Sequence, residues 1–165
     1  MGNDTQENVA VETVDSIDKT IRNHTIGSMG VGLIPLPVVD LVALVGIQLN
    51  MLRKLAKSYD IPFFKDKVKN ILASLIGGGI PVTLSAAFTS LMKSIPVIGQ
   101  TTGAFAMPIL AGATTYAVGK VFTQHFASGG TFLSFDPDAV RDYYYEMFKE
   151  GQKVASKMKK SEEKT

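Results

Sequence analysis

A long stretch of this chain almost lacks charge. From residue 70 to residue 135 the only lysine, arginine, aspartate or glutamate side chains are Lys93 and Lys120. They leave two apolar blocks, residues 70–92 and 94–119, each long enough for a helix to cross roughly 30 Å of hydrocarbon at about 1.5 Å per residue. The blocks predict a pair of helices in a lipid bilayer rather than a catalytic pocket.

The composition narrows the class of protein. The 165 residues fit one domain. The net charge of +2 is too small to indicate nucleic-acid binding, and no basic stripe with interleaved aromatic residues occurs. The absence of cysteine excludes disulfides and cysteine-ligated zinc. The acidic, polar N-terminus lacks the basic and apolar regions of a secretory signal.

Proline divides the chain into five predicted helices. It disfavours helix at the residue before it and suits the first turn of a new helix. The predicted hinges are Pro35, Pro37, Pro62, Pro81 and Pro96. The predicted helices cover about Val9–Leu33, Val38–Tyr59, Phe64–Lys93, Val97–Ala127 and Pro137–Lys160.

These elements predict an all-α fold of two membrane-inserted helical hairpins, hinged at proline and glycine, plus a C-terminal amphipathic helix. Residues 1–20 are expected to form a polar, acidic segment that leads into the first helix. Residues 21–130 are expected to form the helical membrane-associated domain. Residues 131–165 then form the C-terminal amphipathic helix and its basic tail.

The final helix has the clearest amphipathic pattern. Asp136 is a good N-cap, and Pro137 suits the first helical position. Apolar residues recur on one face at helical spacing. They are Val140, Tyr144, Met147, Phe148, Gly151, Ala155 and Met158. The pattern leaves open whether the tyrosines pack on the body of the protein or lie in a lipid headgroup layer.

Small residues recur at four-residue spacing on the third and fourth helices. On the fourth helix they are Gly99, Gly103, Ala111, Thr115 and Gly119. On the third helix they are Ser74, Gly78, Ala86 and Ser90. Small residues in register let two backbones approach closely, which matters where lipid gives no hydrophobic drive for association. The ridges predict helix packing within one chain or between chains, and the pattern does not decide which.

Basic residues cluster on one side of the proposed hairpins. Arg53, Lys54 and Lys57 end the second helix, and further lysines within residues 65–69 begin the third. The positive-inside rule places both termini and this connector in the cytoplasm. The alternative is that lysine and arginine only cap the helices of a soluble bundle, because the first apolar block, Thr25–Ile34, is too short to span a bilayer.

The sequence shows no catalytic constellation. It contains no phosphate-binding loop, His-Glu-x-x-His motif or nucleophile elbow, and no pair of carboxylates in the apolar middle. We predict no catalytic, cofactor-binding or metal-binding residues and no cofactor. The polar residues predicted within the membrane are Asp40, Lys93 and Gln100. Asp40 either complements the dipole of the second helix or serves as a counter-charge for Lys93.

Other polar residues lie in apolar surroundings. They are Gln48, Asn50, Gln100, Thr101 and Thr102. They either hydrogen-bond between helices, which is the default for buried amides in lipid, or line a small polar cavity. His24 and His125 are far apart in sequence, and we expect each at a helix end or interface rather than as a metal ligand.

Several segments that contain proline or glycine resemble those of a known family. These segments are Ile34-Pro35-Leu36-Pro37-Val38-Val39-Asp40 with Gln48 and Met51, Ile95-Pro96-Val97-Ile98-Gly99-Gln100, and Thr115-Tyr116-Ala117-Val118-Gly119 with His125-Phe126 and Gly129-Gly130. The pattern resembles the YcjF-like, GTPase-associated bacterial family of uncharacterised helical membrane domains over about Ile21–Gly130. The resemblance implies an independent oligomer, or a membrane anchor or partner for a small GTPase acting in trans. It implies no enzymatic residues.

The leading interpretation is a non-enzymatic bacterial inner-membrane protein that inserts from the cytoplasmic side, self-associates and keeps its termini in the cytoplasm. Its expected partners are the lipid bilayer, further copies of the chain and a small GTPase, but not nucleic acid. One alternative is an oligomeric pore with Asp40, Gln100, Thr101 and Thr102 along a central path. Another is a soluble all-helical interaction module with glycine-rich helices in its core. An enzyme is least expected, because the apolar middle lacks groups for proton transfer or nucleophilic attack.

Overall fold

The computed structural model describes residues 3–33, 37–78 and 102–162, including the side chains of residues 11–33, 42–77 and 107–161. All regular secondary structure in these residues is helical. The helices are α1 (Asn3–Val31), α2 (Pro37–Ser58), α3 (Lys65–Gly78), α4 (Thr102–Ala127) and α5 (Arg141–Glu162). The predicted all-α fold is confirmed for this part of the chain.

Helix α4 is the central helix of the bundle and runs antiparallel to α1. Ile21 of α1 lies against Gly119 of α4, whereas Met29, two turns further along α1, lies against Gly112. About half of the α4 side chains that the structure describes are buried against α1, α2 and α5. The buried ones include Ala113, Thr115, Tyr116, Ala117, Val118, Val121, Phe122 and Phe126.

The burial of α4 changes the interpretation of the charge-free stretch. Within the residues that are described, no helix combines the length and the apolar character that a membrane crossing requires. Most of the residues from 108 to 119 are buried against neighbouring helices, and a buried protein core excludes charge as lipid does. Membrane-inserted hairpins are therefore not supported here. The proposed elbow at Lys93 lies outside the described residues.

Helices α2 and α3 add a second layer to the core. Met51, Leu52 and Leu55 of α2 are completely buried, and the α3 residues Val68 and Leu72 join the same apolar cluster. Because buried residues on each helix recur at spacings of three and four, each helix places one apolar stripe against the bundle. The polar faces carry the lysines of both helices.

Two helices end in the same hydrogen-bonded motif. At the end of α2, the N–H of Ile61 donates to the carbonyl of Ala56 at 2.8 Å, and Asp60 adopts a positive φ of 54°. At the end of α4, the N–H of Gly130 donates to the carbonyl of His125 at 2.9 Å, and Gly129 has a φ of 83°. A left-handed residue with this bonding pattern reverses the chain after a helix. It sets up the turns that lead to α3 and to the loop before α5.

The loop between α4 and α5 is held by aromatic side chains. Phe135 stacks on Phe122 with ring centroids 4.3 Å apart, and Phe132 meets Phe126 edge-on at 5.1 Å. Phe63, from the turn after α2, contacts Phe132 at 5.8 Å. Offset and edge-on ring pairs contribute stability beyond the area they bury. The aromatic cluster therefore fixes the loop on one end of the bundle.

Helix α5 begins later than its sequence signals predict. The predicted start was Pro137, but residues 137–140 form turns and the helix starts at Arg141. The Asp136 carboxylate accepts a hydrogen bond from the N–H of Asp138 at 3.0 Å, so it stabilises a turn before the helix. The predicted apolar face of α5 does pack on the protein. Its buried members are Tyr144, Phe148, Gly151 and Ala155.

Candidate functional site

Several predicted site residues lie outside the described part of the chain. They are Pro35, Pro81, Ala86, Ser90, Lys93, Pro96, Gly99 and Gln100. Pro37 is the first residue of α2, Asp40 lies in the first turn of that helix, and Gly103 lies in the first turn of α4. Pro62 lies in the turn between α2 and α3. The backbone position of Asp40 matches a residue that complements the dipole of α2.

The small residues of α4 meet α1 of the same chain. A Cβ atom added to Gly119 would lie 2.9 Å from Cγ1 of Ile21, and Thr115 is completely buried. Ala111 is half-buried on the same side. On α3, Ser74 is exposed and Gly78 is the last residue of the helix. The described part of α3 therefore does not bring a facing ridge against α4.

Sequence reasoning missed the glycines that allow the closest approach of α5 to α4. A Cβ atom on Gly151 would lie 2.9 Å from both Cα and the carbonyl oxygen of Ala113. One on Gly112 would lie 3.2 Å from Cβ of Ala155. The four-residue spacing on α4 omits Gly112, so these contacts required the position of α5 to be known.

Three buried polar side chains join α1, α2 and α4. Thr115 Oγ1 lies 2.7 Å from Ser28 Oγ, and it accepts a hydrogen bond from Gln48 Nε2 at 3.3 Å. All three residues are completely buried. A polar group in an apolar core is tolerated when its hydrogen bonds are made. This polar network therefore favours one register of the three helices over slipped alternatives.

A second link lies one turn away, between α1 and α2. His24 Nδ1 is 2.7 Å from the carbonyl oxygen of Thr20, and Asn50 Nδ2 is 3.2 Å from His24 Nε2. Because a carbonyl oxygen can only accept, Nδ1 carries the hydrogen, and Nε2 accepts the bond from Asn50. The expectation that Gln48 and Asn50 hydrogen-bond between helices is confirmed. Their partners, Thr115 on α4 and His24 on α1, were not predicted.

The polar network contains only neutral groups, which are the hydroxyls of Ser28 and Thr115 and the amide of Gln48. Gln48 Oε1 and Thr25 Oγ1 are buried without a hydrogen-bond partner among the described residues. No cluster of three or more His, Asp or Glu side chains in that part of the chain could hold a metal ion. The hydrogen bonds of the network connect α1, α2 and α4.

Thr115→Val tests the network. The substitution keeps the shape of the side chain but removes the hydroxyl, so that Ser28 and Gln48 each lose a partner. A buried group left unsatisfied costs about 1–3 kcal/mol, so we expect the free energy of unfolding to fall by about 2 kcal/mol. Thermal or urea unfolding measures the change.

Thr123→Val is the matched control, because Thr123 lies on the same helix and its buried Oγ1 has no hydrogen-bond partner among the described residues. We expect its effect to be below about 1 kcal/mol, since removing this hydroxyl leaves no other group unpaired. Equal losses in the two variants would show that the network adds nothing to stability.

A shallow groove with charged residues lies where α1, α4 and α5 meet. Lys120 Nζ is 2.8 Å from Asp18 Oδ1, and Tyr116 donates a hydrogen bond to Glu150 Oε1 at 2.7 Å. Burial raises the pKa of the Tyr116 hydroxyl, and the bond to Glu150 raises it further. Tyr116 thus stays a donor at physiological pH. The groove, of about 250 Å³, is lined by Asp18, Ile21, Arg22, Tyr116, Lys120, Val154 and Met158.

The two ends of the bundle differ in chemistry. Because α1 is antiparallel to α2 and α4, the end of α1 and the starts of α2 and α4 lie together. Exposed apolar side chains mark this apolar end: Leu33 (63% exposed), Val42 (72%) and Met107 (50%).

The opposite end carries a basic corner where α2 passes into α3. Its exposed basic residues are Arg53, Lys54, Lys57, Lys65, Lys67 and Lys69. Phe64 lies among these residues and is 50% exposed. The basic corner thus lies at the opposite end from Leu33, Val42 and Met107. Exposed apolar side chains also occur near the basic corner, at Val11, Val14 and Leu133.

Comparison with known proteins places the chain in a family. The family model described as "Domain of unknown function (DUF697)" matches residues 4–153. The chain belongs to this family. The DUF697 match includes α1 to α4 and about half of α5. A predicted relationship to an uncharacterised helical family is thereby supported.

This chain is also similar to a named bacterial protein. "Magnetosome membrane protein 22" of Magnetospirillum gryphiswaldense (strain DSM 6361 / JCM 21280 / NBRC 15271 / MSR-1) is 35% identical over 147 residues, which are 88% of this chain and 75% of that protein. No solved structure matches this chain.

Proposed function

We propose that this DUF697 protein is a non-enzymatic, membrane-associated helical protein of the bacterial inner membrane. It contacts the bilayer through the apolar end of its bundle, self-associates and presents its other surfaces to a cytoplasmic partner. The observation that carries the proposal is the exposure of Leu33, Val42 and Met107 together at one end. Contiguous exposed apolar side chains are typical of membrane or partner contact sites.

The adjoining sequence supports a lipid contact. Residues 34–36 and 79–101 both connect to this end of the bundle, and Lys93 is their single charged residue. A segment so poor in charge costs little to place in or near hydrocarbon. The relative from Magnetospirillum gryphiswaldense carries the words "membrane protein" in its name, which also favours a membrane role for this chain.

The basic corner supports the orientation of the proposal. Arg53, Lys54 and Lys57 lie at the opposite end from Met107, and basic segments near membrane domains favour the cytoplasmic side. We place this corner and both termini in the cytoplasm. A small GTPase in trans is the proposed partner, on the basis of the family resemblance, and nucleic acid is not proposed at a net charge of +2.

The neutral polar network supports a role without catalysis. Thr115, Ser28 and Gln48 hydrogen-bond to one another, and none of them pairs with a carboxylate or a lysine. General acid–base and nucleophilic catalysis need a group activated by such a neighbour. Interhelical order is the role that these contacts favour.

A vesicle-binding experiment tests the lipid contact. The triple variant Leu33→Glu, Val42→Glu and Met107→Glu places three carboxylates on the apolar end. Burying one large aliphatic side chain contributes roughly 1.5–3 kcal/mol, so we expect at least about a tenfold loss of affinity for the bilayer. Co-sedimentation with phosphatidylethanolamine and phosphatidylglycerol vesicles measures binding of the purified full chain.

A matched pair of single variants gives the control. Leu33→Glu and Leu133→Glu change the same residue type at similar exposure (63% and 69%), but Leu133 lies in the loop after α4, at the opposite end. We expect Leu33→Glu to weaken vesicle binding and Leu133→Glu to leave it unchanged. The proposal fails if the triple variant sediments with vesicles as well as the unchanged chain does.

A further inference from the structure

The first helix extends beyond the body of the bundle. Asp18 of α1 pairs with Lys120 of α4, and the two helices are antiparallel. The seven-residue step from Lys120 to Ala127, where α4 ends, therefore corresponds to the step from Asp18 back to Val11. Residues 3–10 of α1 lie past that point and, at about 1.5 Å per residue, extend it by roughly 12 Å.

The start of α1 carries an exposed apolar and acidic face. Val11 and Val14 are both 57% exposed, although they lie three residues apart on one side of the helix. Glu12 and Asp15 beside them are exposed, and neither forms an ion pair with another described residue. We call these four residues the acidic stripe. Residues 3–18 contain no lysine or arginine.

The basic corner offers the complementary chemistry. Phe64 is 50% exposed there, and the exposed Lys65 and Lys67 follow it in the chain. Asp60 and Asp66 are also exposed at this corner, so its six basic and two acidic side chains leave a surplus of four positive charges. Neither Lys65 nor Lys67 forms an ion pair in the described part of the chain. The acidic stripe thus combines exposed apolar and acidic side chains, whereas the basic corner combines an exposed apolar side chain with basic ones. Such complementarity steers partners together and fixes their register.

Both surfaces lie at the same end of the bundle, which allows a reciprocal arrangement. The start of α1 and the connection from α2 to α3 are both opposite the apolar end. Two copies related by a two-fold axis can each place the acidic stripe on the basic corner of the other, and such a contact closes on itself. The ridge on α4 does not compete for this role, because Thr115 and Gly119 are already packed against α1.

We infer that the acidic stripe and the basic corner bind a second copy of this chain. The inference rests on the self-association included in the proposed function and names its surface. The apolar end stays outside the contact, so both copies of such a dimer can face one bilayer.

Charge reversal on each surface tests the inference. The acid-reversed variant carries Glu12→Lys and Asp15→Lys, and the base-reversed variant carries Lys65→Glu and Lys67→Glu. Each variant alone would face its own copy with like charges at both contacts, and we expect its self-association to weaken by at least about tenfold. An equal mixture restores opposite charges at both contacts, and we expect it to associate nearly as well as the unchanged chain.

Co-purification of two differently tagged full-length copies measures association, with sedimentation velocity for the size of the complex. Circular dichroism confirms that each variant is folded. The control Lys153→Glu with Lys157→Glu reverses two exposed lysines of α5, away from both surfaces, and is expected to associate normally. The inference is supported if association is lost in each reversed variant and recovers when the two are mixed.

Three results overturn the inference. They are association of either reversed variant at the unchanged level, no recovery in the mixture of folded variants, and a monomeric unchanged chain. Vesicle binding of the same variants separates this outcome from the proposed lipid contact. If the unchanged chain is monomeric but binds vesicles, only the proposed self-association is contradicted. If it forms a dimer that does not bind vesicles, only the proposed lipid contact is contradicted.

Discussion

Phe122→Ala is expected to lower the free energy of unfolding by about 3–5 kcal/mol, the range for removing a buried aromatic ring. Phe122 is completely buried in α4. Its ring stacks on Phe135 at 4.3 Å and lies 5.6 Å from the rings of Phe126 and Phe132. The substitution therefore leaves a cavity and removes the contact that holds the loop before α5 on the bundle.

The control for this prediction is Phe64→Ala. The same change at a ring that is 50% exposed is expected to cost below about 1 kcal/mol, because much of that ring already contacts water. Urea unfolding followed by circular dichroism measures both variants. Limited proteolysis gives a second readout, since residues 128–140 should become cleavable in Phe122→Ala. Similar stabilities for the two variants would mean that the aromatic cluster is not the anchor of this loop.

The positions of the helices could be predicted because their signals are local. The prediction Val38–Tyr59 corresponds to α2 at Pro37–Ser58, and Val97–Ala127 corresponds to α4 at Thr102–Ala127. Proline and glycine act on the backbone within a few residues. The start of α5 was predicted too early, because the Asp136 carboxylate caps either a helix or a turn, and nearby residues do not decide which.

The environment of the helices could not be predicted in the same way. An α-helix that is apolar on all sides is either a membrane span or the centre of a bundle, and α4 satisfies both descriptions in sequence. The structure buries α4 between α1, α2 and α5. Its neighbours are contributed by residues far along the chain, such as Ile21 and Gly151. Charge depletion therefore indicates exclusion from water without identifying what excludes it.

The candidate surfaces show the same limit. Gln48 and Asn50 stood out as polar residues in apolar surroundings, but their partners Ser28, Thr115 and His24 belong to other helices. The acidic stripe is visible in sequence as charge. The exposure of Val11 and Val14 cannot be seen in the sequence, because the same apolar spacing continues to Ile17, which is buried. Which of these residues are exposed depends on where the bundle ends.

Gly151→Leu is expected to lower the free energy of unfolding by about 3 kcal/mol, the upper part of the usual range for overpacking a core. A Cβ atom at this position would lie 2.9 Å from two backbone atoms of Ala113. A side-chain end could rotate away, but a helix backbone cannot, so α5 would have to move off α4. That movement would also lengthen the hydrogen bond from Tyr116 to Glu150, one residue before Gly151.

Gly27→Leu is the matched control for this prediction, because a Cβ atom there meets no other atom within 4 Å. Leucine is a better helix former than glycine by about 0.5–1 kcal/mol, so the control should be slightly stabilised. The two variants share one chemical change and are expected to shift stability in opposite directions, which thermal unfolding resolves. Destabilisation of both to the same extent would mean that helix propensity, and not the contact between α4 and α5, determines the response. If only Gly151→Leu is destabilised, the glycine is required for α5 to pack against the otherwise exposed side of α4.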